Sequence, residues 1–148
     1  MKNTSFTNRD CAAPIPGYYD SPWPAECGGP RRQKAPRSPG LNASQSSSVG
    51  QHTRMNGEWN VMTVLRDPGE VYLMGNNRID SPEKYGFLER IDPITLETIS
   101  RSPNLEAGGH TWCGSVVVHQ NGYLYLNNGN RCFKLDADCK VLAECVLP

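Results

Sequence analysis

The later part of this chain states one pattern twice. Gly69-Glu70-Val71-Tyr72-Leu73 recurs as Gly122-Tyr123-Leu124-Tyr125-Leu126, and Arg90-Ile91-Asp92-Pro93 recurs as Lys134-Leu135-Asp136-Ala137. Each copy then runs through a short apolar-alternating stretch to a proline, Pro103 or Pro148. Alternation with a period of two marks half-buried strands, and the glycine-bearing breaks mark the turns between them. A self-similar unit of about 45–50 residues built of short strands cannot bury its own apolar face and has to stack on a neighbour. The class that follows is all-β.

Taken in order, Trp59 to Leu65 reads as a strand ending at the turn Asp67-Pro68-Gly69, Glu70 to Met74 returns, Tyr85 to Asp92 makes a third strand and Leu96 to Arg101 a fourth. Ser115 to His119, Tyr123 to Asn127, Arg131 to Asp136 and Lys140 to Val146 follow in the same order, with Asn121-Gly122 as a two-residue hairpin signal. On the third strand, alternation puts Phe87, Glu89 and Ile91 on one face and Leu88, Arg90 and Asp92 on the other. No segment reads as a helix longer than a turn. The first copy carries an extra stretch, Asn76 to Lys84, whose Asn, Asp, Ser and Pro residues are loop chemistry, and lengthening a loop costs little closure entropy. Two runs of four antiparallel strands make two propeller-type blades, residues 58–103 and 104–148. Propellers close with about 4–8 blades, so this is an incomplete propeller. Open apolar faces follow, with Val116, Val118, Leu124 and Leu126 expected among the exposed residues, together with self-association or a protein partner that supplies further blades.

Residues 1–57 differ in kind. They hold seven of the 12 prolines, and seven Lys/Arg against three Asp/Glu, whereas residues 58–148 hold eight against twelve. The net charge of zero therefore conceals a basic arm on an acidic folded part. Pro14-Ile15-Pro16-Gly17 and Ser21-Pro22-Trp23-Pro24 favour extended conformations, and Ser44 to Ser48 is low-complexity linker. The arm reads as disordered, having too little apolar surface to offset backbone ordering at about 1–2 kcal/mol per residue. One patch departs from this: Tyr18, Tyr19 and Trp23 are unusual in a spacer and offer docking on the folded part as an alternative. The run Arg31-Arg32-Gln33-Lys34-Ala35-Pro36-Arg37 has no aromatics beside it, so nucleic-acid binding is not expected and a solvated linker is.

No run approaches the roughly 20 apolar residues of a membrane span, and Lys2 is followed by no apolar signal-peptide core, which favours a cytoplasmic location. The six cysteines include no C-x-x-C pair, and His52, His110 and His119 form no zinc-type set, so no metal is expected. Cys132, Cys139 and Cys145 fall in or beside strands, where a free thiol behaves as a small hydrophobe.

The segment Asn121-Gly122-Tyr123-Leu124-Tyr125-Leu126-Asn127-Asn128-Gly129, followed by Phe133-Lys134-Leu135-Asp136-Ala137 and Val141-Leu142, resembles a blade of the quinoprotein-dehydrogenase-like propellers. Leu88-Glu89-Arg90-Ile91-Asp92-Pro93-Ile94-Thr95-Leu96-Glu97 is a looser copy. The resemblance implies the propeller fold over residues 58–148. The tryptophan that often ends this module is absent, with Ala143 and Ile99 near its place, and the enzymes' cofactor-contacting residues have no counterpart, so no cofactor is implied.

The segment Gly108-Gly109-His110-Thr111-Trp112-Cys113-Gly114 joins one blade to the next, beside a propeller's channel. His110, Trp112 and Cys113 offer a titratable ring, a stacking surface and a soft nucleophile, and form the candidate ligand site. The structural alternative has the glycines permit a tight crossing while Trp112 packs between blades. No catalytic residue is assigned, since nothing orients a Cys–His pair. Asp92 and Asp136 recur once per unit, as turn-forming residues do and catalytic ones do not. The expected function is a non-catalytic binding or scaffolding propeller piece. The alternative is part of a propeller enzyme, a quinoprotein-like oxidoreductase or lactonase-type hydrolase, that requires further blades.

Overall fold

The alternating runs become strands very nearly where the pattern puts them. The computed structural model describes residues 15–29, 32, 34, 51, 53, 58–77, 81–109 and 113–148, with only the backbone of Cys113. Strands β1 (Trp59–Leu65), β2 (Val71–Asn76), β3 (Tyr85–Ile91) and β4 (Thr98–Arg101) pair in that order in one antiparallel sheet, to which the two-residue β5 (Leu105–Glu106) adds alongside β3. Strands β6 (Cys113–Val118), β7 (Leu124–Asn128), β8 (Arg131–Leu135) and β9 (Val141–Val146) make a second antiparallel sheet, also in chain order. A 3-10 turn at Glu26–Gly28 is the sole helical element among the described residues.

The two sheets agree in detail. Register shifts fall where β1 meets β2 (Asn60/Met62) and β6 meets β7 (Cys113/Val116), and again where β3 meets β4 (Arg90/Ile91) and β8 meets β9 (Lys134/Leu135). The first hairpins close alike: the Arg66 amide donates to the Glu70 carbonyl at 3.3 Å and the His119 amide to the Tyr123 carbonyl at 2.9 Å. Each loop ends in a left-handed glycine, Gly69 (φ 81°) and Gly122 (φ 84°). The second loop is therefore three residues, Gln120 to Gly122, and not the two-residue Asn121-Gly122 turn expected, because the glycine closes a bulge after the turn.

One face of each sheet meets the other. Val64, Tyr72, Met74, Leu88 and Leu105 of the first sheet pack with Val116, Val118, Leu124, Leu126, Phe133, Leu135 and Cys139 of the second in a single buried cluster. The expectation that Val116, Val118, Leu124 and Leu126 are exposed fails. They are at most 1% exposed, because the apolar face of one unit covers that of the other. At about 1.5–3 kcal/mol for each large side chain removed from water, this shared face dominates the attraction between the sheets.

On the opposite face of the first sheet the β3 side chains are buried as well, by charge. Phe87 and Glu89, on the face away from Leu88 as alternation requires, are 0% and 2% exposed. The Arg101 guanidinium stacks 3.8 Å from the Phe87 ring centroid and pairs with Glu89 at 2.9 Å and with Glu58 at 2.6 Å. Such stacking exploits the electron-rich ring face. The inserted loop starts later than expected. Asn76 is the last residue of β2, opposite Trp59 and Gly86, and the Asn77 amide donates to the Tyr85 carbonyl at 3.1 Å.

Candidate functional site

Within the stretch expected to be disordered, residues 15–29 lie along the free edges of β1 and β6. Prolines 22 and 24 have no N–H to leave unpaired and hold the segment extended. Its carbonyls accept from both sheets: Leu65 N donates to Trp23 O at 2.8 Å, and Val118 N donates to Pro24 O at 2.8 Å. In return Tyr19 N donates to Val118 O at 2.9 Å, with isolated bridges at Tyr18–His119 and Ala25–Val117. Expected disorder gives way here because strand edges offer unmet backbone donors and acceptors, which offset the ordering cost. The docking alternative raised by Tyr18, Tyr19 and Trp23 is the arrangement seen over this segment. The remainder of the arm lies outside the described residues, apart from Arg32, Lys34, Gln51 and Thr53. Of the basic run, Arg32 lies 3.8 Å from exposed Glu26, and the Lys34 amide donates to the Cys27 carbonyl.

Where the segment leaves the sheets it frames an open groove of about 560 Å³. Ile15 and Pro16 form an apolar wall, Tyr18 and Tyr19 supply rings, Asp20 and Asp67 carboxylates, and Gln120 an amide. The Tyr19 hydroxyl donates to Asp67 Oδ1 at 2.7 Å, and this bond is the main reason its phenol titrates above the usual range, with burial second. Gln120 is held by a reciprocal pair: its side-chain oxygen accepts from Gly17 N at 2.8 Å and its backbone N–H donates to Gly17 O at 3.1 Å.

Beneath the groove, Arg66 pairs with Asp67 at 3.0 Å and Glu70 at 2.7 Å, lies 5.4 Å from the Tyr19 ring, and donates through Nε to Gly122 O at 3.1 Å. Glu70 also holds Arg90 at 3.2 Å, and Arg90 reaches Asp138 at 3.6 Å. The Tyr72 hydroxyl crosses between the sheets to donate to Ala137 O at 2.9 Å, and burial first of all drives its phenol pKa well up. This cluster ties the turn between β1 and β2 to the turns of the second sheet. Rings beside carboxylates and backbone edges suit an extended peptide or an amide-bearing ligand.

Of the residues expected to form a ligand site, His110 and Trp112 lie outside the described residues, and Cys113 is placed by its backbone alone, opposite Asn128 at the start of β6. That end of β6 is remote from the groove, about 20 Å away along the strand at the usual rise. The described start of the connection fits a tight crossing: Gly108 and Gly109 have φ of 59° and 86°, and a Cβ on Gly108 would come within 1.8 Å of Asn130 Oδ1. Asp92 and Asp136 are turn formers. Asp92 Oδ1 accepts from the amides of Ile94 and Thr95 at 2.7 and 2.8 Å, and Asp136 Oδ1 from those of Asp138 and Lys140 at 3.0 and 2.9 Å. The Thr95 bond, then that of Ile94, holds the Asp92 carboxyl below its ordinary pKa. The reading of strand cysteines as buried thiols fits Cys139 alone, since Cys132 is half-buried and Cys145 exposed.

No protein family, curated protein or solved structure matches this chain. Among the described residues no helix is long and apolar enough to cross a membrane.

Proposed function

We propose that the two sheets are successive blades of a propeller-type array, and that the chain acts as a non-catalytic binding or scaffolding module. Further blades come from a protein partner or from other copies of the chain. The observation that carries this reading is the agreement between the sheets: the same strand order, the same two register shifts, and first strands β1 and β6 as neighbours. In a propeller the sheets radiate from a central channel. The 15–29 segment then lies along the channel-side edges of both blades, and the ligand class is an extended polypeptide held beside that segment by the tyrosines and carboxylates of the groove.

Local chemistry favours binding over turnover. Arg66, Arg90, Arg101 and Arg131 are all engaged in ion pairs, and Asp92 and Asp136 in turns. Burial raises the pKa of both Cys132 and Cys139, away from nucleophilic thiolate. Trp59 and Val61 on the first strand stay 48% and 41% exposed, as a blade awaiting a neighbour would leave them. A reducing, cytoplasmic setting suits thiols left free. Sedimentation velocity of the intact chain at low micromolar concentration tests the proposal, with an assembly of several copies expected. A monomer that melts cooperatively would make the pair a closed two-sheet sandwich and overturn it.

A further inference from the structure

Cys132 on β8 and Cys145 on β9 are directly opposed across the strand pair. Two positions along in the same register, Leu147 N donates to Asn130 O at 2.7 Å, so hydrogen-bonded pairs alternate from there and Cys132 and Cys145 form the next one. Residues paired this way have Cα atoms about 5.5 Å apart. A disulfide spans roughly 4.4–6.8 Å between Cα atoms. The register shift in this pair of strands lies beyond the cysteines, between Lys134 and Leu135.

Both side chains project from one face, Cys132 half-buried and Cys145 exposed on the outermost strand, and both are free thiols. Burial above all, and then Cys145 opposite it, pushes the Cys132 thiol up. Neither belongs to the shared core, where Cys139 already serves as a packing thiol. A solvent-reachable thiol backed by a second one across the ladder has the layout of an entry and a resolving cysteine.

We propose that Cys132 and Cys145 form a reversible dithiol–disulfide site, oxidised by a small-molecule disulfide of the glutathione class. The Cys145 thiolate attacks one sulfur of the reagent, breaking its S–S bond and expelling one thiolate, which takes up a proton. Cys132 then gives its proton to solvent and attacks Cys145 Sγ, expelling the second thiolate. Two protein thiols lose two electrons in all, and one small disulfide becomes two thiols. The product is a covalent rung between β8 and β9 that fixes the outermost strand of the sheet. Because Cys132 holds its proton tightly, this second step accelerates as pH rises.

The intact folded chain is incubated with glutathione disulfide, its remaining thiols are alkylated, and the protein is cleaved after Lys134 and Lys140, which separates the two cysteines. The expected result is a Cys132–Cys145 cross-linked peptide that reduced glutathione in excess reopens. Cys132→Ser is expected to stop at a persistent glutathione adduct on Cys145. Cys145→Ser is expected to take up glutathione at Cys132 at least tenfold more slowly than Cys132→Ser does at Cys145. Overturning results are a wild-type adduct that persists on Cys145 beside a free Cys132, a bond from either cysteine to another partner, or both thiols surviving excess glutathione disulfide. The wild-type measurement requires no variant to fold.

Discussion

Asn128, at the end of β7, donates its side-chain amide to the Leu105 carbonyl of the other sheet at 2.7 Å, and both residues are 2% exposed. The contact closes the edge of the shared core where β5 joins the first sheet. Gly86 makes room for it, since a Cβ there would lie 3.0 Å from Asn128 Nδ2.

Replacing Asn128 by Ala leaves the Leu105 carbonyl without that donor in a dry site. The expected loss is about 1–3 kcal/mol of unfolding free energy. Urea denaturation measures it, and an unchanged dependence on denaturant would place the effect in the folded state.

Tyr19→Phe removes the hydroxyl bond to Asp67 and keeps the ring. The loss in stability is about 0.5–1.5 kcal/mol. Amide hydrogen exchange gives the local reading: Leu65 and Val118, which donate to the arm, should exchange faster than in the parent. Unchanged protection at both would show that the backbone bonds alone hold the segment.

Arg101→Leu takes the guanidinium from Glu89. A fully buried pair loses about 3–5 kcal/mol on such a change. Arg101 is 28% exposed, so about 2–3 kcal/mol is expected here. The double variant Arg101→Leu/Glu89→Leu should regain most of it, and a thermal-melt cycle with both single variants shows whether the coupling has that sign.

Burial pushes the Cys139 thiol up to about 11 from 9.0. A raised folded-state pKa means the unfolded chain releases its proton first, so stability is full below pH 9 and falls between pH 9 and about 11. Tyr72, also raised by burial, extends the fall above pH 10. Denaturation across this range should show the decline, and Cys139→Ala should flatten its lower part. A parent curve flat to pH 11 would contradict the buried thiol.

The strand order was legible because each strand buries one face, and that writes a period of two into Val116, Val118, Leu124 and Leu126. What those residues face was not legible. Alternation names a buried side without naming its cover, so the four were expected to stand open when the first sheet in fact seals them. The Arg101 cluster was hidden for a similar reason: Glu58 lies just before β1, far in sequence from the other two, and only the strand register sets Glu89 opposite Arg101. The groove left a faint trace in the aromatics at 18, 19 and 23, outweighed by prolines that serve a spacer and an edge-bound segment equally well. For Cys132 and Cys145 the sequence spacing was uninformative, because only the hairpin register makes them opposite.

The segment that spans the edges of β1 and β6 also sets an order of events during synthesis. It leaves the ribosome before either sheet, yet Gly17 and Gln120, its bonded partner, are 103 residues apart. Contacts of such long sequence separation form late and slowly. Until β6 has emerged, the edge of β1 has half of its clasp at most, and that edge is open to pairing with other nascent chains. Translation pauses beyond residue 65 would lengthen that interval, so the clasp protects the finished chain and leaves the growing one to other safeguards.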